Sequence, residues 1–196
     1  MKKLFAFALV LALLAGILVG CGKDKAGDEA LSGKHHVEIE IRDYGTVAVE
    51  LDADAAPITV ANFLKLAESG FYDGLTFHRI IDGFMMQGGD PDGNGLGGSE
   101  EKIKGEFSAN GVENPLSHTR GAISMARANA MDSASSQFFI VHQDSTFLDG
   151  QYACFGYVTE GMEIVDAICE NTPVTDTNGT VKDGCKPVIE TVRVID

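Results

Sequence analysis

Short runs of alternating apolar and polar residues, separated by glycine-containing turns, constrain this chain more than any other feature. Val37, Ile39 and Ile41 alternate with Glu38, Glu40 and Arg42, and Val47, Val49 and Leu51 repeat the pattern beyond Asp43-Tyr44-Gly45. A period of two sends one set of side chains into a core and the other toward water, so these runs predict a β-hairpin. Further β-like runs occupy residues 76–81, 84–87, 122–126, 137–141, 153–158 and 188–195. Helical spacing occurs twice. Pro57 suits a first helical position, Val60, Ala61, Leu64 and Ala67 follow at helical spacing, and Gly70 stands just past the end. A second helix is predicted around Met162 to Cys169. Many short strands with two helices argue for a β-barrel or sandwich and against a βαβ array. The stretch from Gly88 to Gly105 is Gly-rich and is read as loop.

The chain of 196 residues corresponds to about one domain with accessory segments. Its amino terminus carries those segments. Lys2 and Lys3 precede sixteen apolar residues from Leu4 to Val19, the layout of an export signal. The run is short of the roughly 20 residues that span a bilayer. It closes on Leu18-Val19-Gly20-Cys21, which resembles the lipobox of bacterial lipoproteins. That resemblance implies cleavage before Cys21, lipidation of Cys21, and anchoring of an exported protein to the outer face of the cell membrane; more than one acyl chain gives stable attachment. Residues 1–20 are thus expected to be a signal peptide, 21–36 a flexible tether rich in Lys, Asp, Gly, Glu and Ser, and 37–196 the folded domain. His35 and His36 on such a tether have no third ligand and do not constitute a metal site.

Charge and motifs remove several classes of function. With 15 basic against 29 acidic residues the chain carries −14, the wrong sign for gripping a phosphate backbone, so nucleic acid is not an expected partner. Gly93-Asn94-Gly95-Leu96-Gly97-Gly98 matches a dinucleotide-binding spacing, but Ser99-Glu100-Glu101-Lys102 follows where an apolar helix should begin. A nucleophile elbow and a zinc-protease helix are both missing. Adjacent Glu100 and Glu101 in a polar loop form a solvated face. Four cysteines are too few for a disulfide scaffold; beyond Cys21, Cys154 sits in an apolar run, and Cys169 with Cys185 is the expected pair if one disulfide forms.

What remains is an apolar constellation with one cation. Phe77-His78-Arg79-Ile80-Ile81-Asp82-Gly83-Phe84-Met85-Met86-Gln87-Gly88-Gly89-Asp90 is followed by Ser136-Gln137-Phe138-Phe139-Ile140 and Phe147-Leu148-Asp149-Gly150. These segments resemble, in order and from about Val37 to Ile195, the cyclophilin family of peptidyl-prolyl cis-trans isomerases. The resemblance implies a closed antiparallel barrel of eight strands capped by two helices, acting as a monomer on Pro-containing peptide segments without cofactor or metal. It implies that Arg79 is the catalytic arginine, that Phe84, Met85, Phe139 and Leu148 form the proline pocket, and that Gln87 holds the substrate backbone. Ala126 and Gln137 match groove positions, and Arg127 replaces a customary Asn that acts through its backbone. Phe147 stands where many members have Trp, and Tyr152 where many have His. In the family that Trp hydrogen-bonds the inhibitor cyclosporin, so weak cyclosporin binding is implied here. His78, next to Arg79 on a strand, is expected to face the other way as a structural residue. The expected activity is isomerisation of X-Pro bonds during folding of exported proteins; the alternative is a holdase that uses the same groove without turnover.

Overall fold

The computed structural model describes residues 31–196. Eight strands and two helices run in the order β1 (Lys34–Ile41), β2 (Gly45–Asp52), α1 (Pro57–Glu68), β3 (Thr76–Ile81), β4 (Met85–Asp90), β5 (Ala122–Met125), β6 (Phe138–Val141), β7 (Cys154–Glu160), α2 (Met162–Asn171) and β8 (Ile189–Val194). Cys21 and the proposed signal lie outside the described residues. The boundary expected at residue 37 moves: Lys34, His35 and His36 belong to β1 and pair with Asp52, Leu51 and Glu50. The His36 backbone N–H and ring Nδ1 both meet the Asp196 carboxylate, which ties this end of β1 to the last residue.

The strands form one antiparallel sheet in the order β3-β4-β6-β5-β7-β2-β1-β8, strongly curled around a core of Val37, Ile39, Val47, Leu51, Phe63, Phe138 and Phe155. The expected closed barrel is not closed. β3 and β8 are the edges, and they meet at one end, where Gly74 N–H donates to Ile189 O, Ile189 N–H to Leu75 O, Thr76 bridges Val188, and Phe77 N–H donates to the Pro187 carbonyl. Pro187 has no N–H to return that bond. Farther along, residues 179–181 cover the free edge of β3: Ile80 N–H donates to Gly179 O, and Val181 N–H to His78 O. The hydrogen bonds that would have completed a β3–β8 ladder are therefore occupied by this intervening segment.

β4 also runs further than its sequence pattern suggests, through Gly88, Gly89 and Asp90, whose composition predicts loop. The glycines are there for close approach. A Cβ on Gly88 would meet the Phe77 ring and the Thr76 carbonyl at 2.9 Å, while Gly89 has φ +79° and packs its backbone against Phe138.

α1 begins at Pro57 as expected, but Ala56 offers it no side-chain cap. The cap comes from Glu106, a buried carboxylate that accepts from the backbone N–H groups of Ile58 (3.0 Å) and Thr59 (2.7 Å) and from Thr59 Oγ1 (2.6 Å). Two of the donors that a helix start leaves unpaired are thereby satisfied across 47 and 48 residues of sequence. The pairing of Cys169 with Cys185 is not made; both are free thiols, as is Cys154. Cys169 packs into the core from α2, where burial pushes its thiol up to about 12, and Cys185 lies in a turn whose N–H bonds Lys182 O. Spacing alone could not supply the Cα geometry a disulfide needs.

Candidate active site

Three neighbouring strands place one residue each in a row. Arg79 on β3 is paired with Gln87 on β4, and Gln87 with Phe139 on β6. Met85, two residues before Gln87, shares its face of β4. This is the sheet face away from the main core, and a second apolar cluster of Met85, Ala122, Phe139, Val141, Leu148 and Cys154 covers it, flanked by Phe84, Ala126 and Tyr152. The result is a cavity of about 240 Å³ lined by Arg79, Phe84, Met85, Gln87, Ala126, Arg127, Phe139, Leu148 and Tyr152.

Polar groups on its edge are linked in one direction. Arg79 Nη1 donates to Gln87 Oε1 (3.2 Å), Gln87 Nε2 to Gln137 Oε1 (2.9 Å), and Gln137 Nε2 to the Gly97 carbonyl (2.7 Å). Such a chain holds both amides in fixed orientations. Arg79 Nε donates to Asn178 O at 2.9 Å, so the segment that covers the β3 edge also anchors the guanidinium. Burial lowers the Arg79 pKa, with Tyr152 and Asp176 acting the other way; an arginine stays charged nonetheless. Among the described residues its Nη2 group makes no hydrogen bond to protein, and that donor is left for a ligand.

Of the residues predicted for the site, nine line this cavity. Gln137 joins it through Gln87 and lines the neighbouring cavity. Phe147 does not line it. Its ring is 71% exposed and stands 5.6 Å from Phe84 at 33°, on the rim. Tyr152 meets Phe139 edge-on at 6.0 Å, and the Arg127 guanidinium lies 4.8 Å from the Tyr152 ring and 5.1 Å from Phe107. The Arg127 side chain thus has a position of its own, beyond the backbone role expected for it.

His118 is a residue that sequence reasoning missed. Its buried ring stacks on Phe139 at 6.0 Å and 17°, with Nδ1 2.7 Å from Asp149 Oδ1 and Nε2 3.0 Å from Ser124 Oγ. Burial lowers its pKa against the opposing pull of Asp149. Because Asp149 follows Leu148 and Ser124 is paired with Phe139, this histidine supports two pocket walls from behind. The only sequence signal was a histidine just ahead of a strand, too common to single out. His78 is buried, as expected of a structural residue, with burial lowering its pKa and neither ring nitrogen hydrogen-bonded among the described residues.

A curled eight-stranded sheet with two helices, carrying an apolar pocket edged by a fixed guanidinium and a fixed amide, defines a protein that binds a small apolar group beside a polar backbone. Residues 36–194 match the family model described as cyclophilin type peptidyl-prolyl cis-trans isomerase, and the chain belongs to that family. It is 51% identical over 123 residues to peptidyl-prolyl cis-trans isomerase B of Bacillus subtilis, covering 63% of this chain and 82% of that one. It is 47% identical over 126 residues to a Helicobacter pylori peptidyl-prolyl cis-trans isomerase, covering 63% and 74%. A cyclophilin type peptidyl-prolyl cis-trans isomerase of Cryptosporidium parvum superposes with a TM-score of 0.74 at 32% identity, covering 84% of this chain and 99% of its own. A second structure of that protein, determined in the presence of the dipeptide Ala-Pro, gives 0.72 at 32% identity.

Proposed function

We propose that this isomerase acts on Pro-containing segments of exported proteins at the outer face of a bacterial cell membrane, with Arg79 as its catalytic residue. The observation that carries the assignment of roles is the row Arg79–Gln87–Phe139 across three paired strands, which sets a cation, an amide and an apolar floor around one cavity. The pyrrolidine ring of proline sits on Met85, Phe139 and Leu148, between Phe84 and Ala126. Rotation about an X-Pro bond meets a barrier of about 18–20 kcal/mol because the amide is resonance-stabilised. Exclusion of water by the apolar floor disfavours the charge-separated planar form. As the amide twists, the prolyl nitrogen becomes pyramidal and gains a lone pair, to which the uncommitted Nη2 of Arg79 donates. That bond is strongest in the twisted state, so it lowers the barrier and does not merely tighten binding. Gln87, its amide oriented by Arg79 and Gln137, holds the substrate backbone. Chemistry of this kind breaks no covalent bond, and the reading calls for no metal or cofactor.

The apolar run before Cys21 supports export and lipid attachment, and the stretch after it, rich in Lys, Asp and Gly, has the composition of a tether that would hold the domain off the membrane. Isomerisation of an X-Pro peptide measured by NMR exchange tests the activity; peptide binding with no acceleration would leave the holdase reading in its place. Mass spectrometry of the membrane fraction tests the anchor: an acylated peptide starting at Cys21 is expected, and an unmodified mature peptide spanning Gly20-Cys21 would overturn it.

A further inference from the structure

A second cavity of about 150 Å³ adjoins the proline pocket and shares Gln87, Ala126 and Arg127 with it. Its charged lining residues are two cations, Lys102 and Arg127. Neither is in an ion pair among the described residues. The Lys102 ammonium has a 3.4 Å contact with Ser135 Oγ, which leaves most of its donor capacity unused. Arg127 donates only to the carbonyls of Gln151, Ala128 and Asn129, so its charge is oriented but not neutralised. Three nearby carboxylates are engaged elsewhere. Glu101 pairs with Lys65 at 2.7 Å, Asp90 accepts from the N–H groups of Asp92, Asn94 and Gly95, and Asp132 accepts from Gly105 N–H and Asn110. Asp92 lies against Gly97 but does not line the cavity. Leu96, 90% exposed, contributes an aliphatic wall.

Two unpaired cations around a side-chain-sized cavity, in a chain of net charge −14, mark a place built for an anion. We propose that this cavity binds the carboxylate of a Glu or Asp side chain flanking the isomerised proline, with Lys102 and Arg127 as the residues that set the preference. The substrate class is then acidic Pro-containing segments, a statement that rests on the isomerase reading above.

The test uses peptide pairs that differ only in Glu versus Gln at each position flanking the proline, with exchange rates measured by NMR. At one position the Glu peptide should show a kcat/KM about two- to fivefold above its Gln partner, the range for a partly exposed ion pair. That ratio should shrink toward one as ionic strength rises from about 0.01 to about 1 M. Lys102→Glu, an exposed substitution whose folding is checked by circular dichroism, should abolish the Glu preference and favour a Lys peptide at the same position. Equal rates for every Glu/Gln pair, or a Glu preference that survives Lys102→Glu, would overturn the proposal. No exchange in any peptide, the Gln series included, would instead overturn the isomerase reading and this inference with it.

Discussion

Arg79 combines two properties that seldom coincide: a guanidinium held by Asn178 O and Gln87 Oε1, and an Nη2 group left over for a ligand. Because the side chain borders a groove and fills no core space, Arg79→Ala should shift the unfolding midpoint little while lowering kcat/KM by about 10²–10³, the size of effect seen when one transition-state donor is removed. Peptide affinity, read by titration, should fall far less than the rate. Equal turnover in mutant and wild type would show that the guanidinium is not the catalytic donor. Phe147 offers the complementary case. It sits on the rim beside Phe84 and outside the cavity lining, so Phe147→Trp should leave small-peptide turnover nearly unchanged. The added indole N–H should tighten cyclosporin inhibition by several-fold, in line with a net hydrogen bond of about 0.5–1.5 kcal/mol. Indistinguishable inhibition constants would remove Phe147 from the account of inhibitor sensitivity.

Among the elements, α1 depends most visibly on a distant residue. Its first turn is capped by Glu106, which is almost fully buried and accepts three hydrogen bonds. Glu106→Ala leaves those donors without a partner in a site closed to water, at a cost of about 1–3 kcal/mol. Glu106→Gln keeps one acceptor oxygen and should cost less. Urea unfolding of the two variants separates these outcomes, and equal stability of Glu106→Ala and wild type would deny the cap any role. The same helix turns Val60, Phe63 and Leu64 into the core, where the Phe63 ring meets Phe138 edge-on at 5.4 Å. Phe138 and Phe139 are neighbours on β6 and point to opposite faces, so the strand that seals the core against α1 also floors the pocket. Loosening the α1 cap should therefore affect stability first and turnover only through β6.

On the scale of the whole molecule, two buried histidines make stability depend on pH. Burial lowers the pKa of both His78 and His118 below the ordinary 6.5, with Asp90 opposing it at His78 and Asp149 at His118. Between the unfolded and folded values the unfolded chain binds more protons, so stability rises with pH in that window. It should be fully present above about 6.5 and decline as pH falls below that value. This decline precedes the one expected at lower pH from Asp149 and Asp166, whose hydrogen-bonded carboxylates have lowered pKa values and give up stability as they protonate. His78→Leu tests the first window. Its ring nitrogens have no protein partner, so an apolar side chain of similar size should cost less than about 1.5 kcal/mol at pH 7.5. It should also flatten the loss between pH 7 and 5. An unchanged pH slope in this variant would exclude His78 as a contributor.

Most strand and helix positions were legible in the residues themselves, because period-two and helical patterns are local consequences of burial. The order of FHRII, GFM-QGG, SQFFI and LDG implies roles for Arg79, Phe84, Met85, Gln87, Phe139 and Leu148 only through its resemblance to the cyclophilin family. Tertiary structure decided what depends on residues far apart in the chain. It turned Gly88 and Gly89 from loop into strand, because the Phe77 and Phe138 rings need the space a Cβ would fill. It left the sheet open, because residues 179–181 take up the β3 edge that β8 would have used. It set Phe147 on the rim beside Phe84, put His118 behind Phe139, and left Cys169 and Cys185 as free thiols. The physical reason is common to all of these: periodicity reports how each residue meets solvent, whereas ladder partners, caps and stacked rings are set by distances that exist only once the chain has folded.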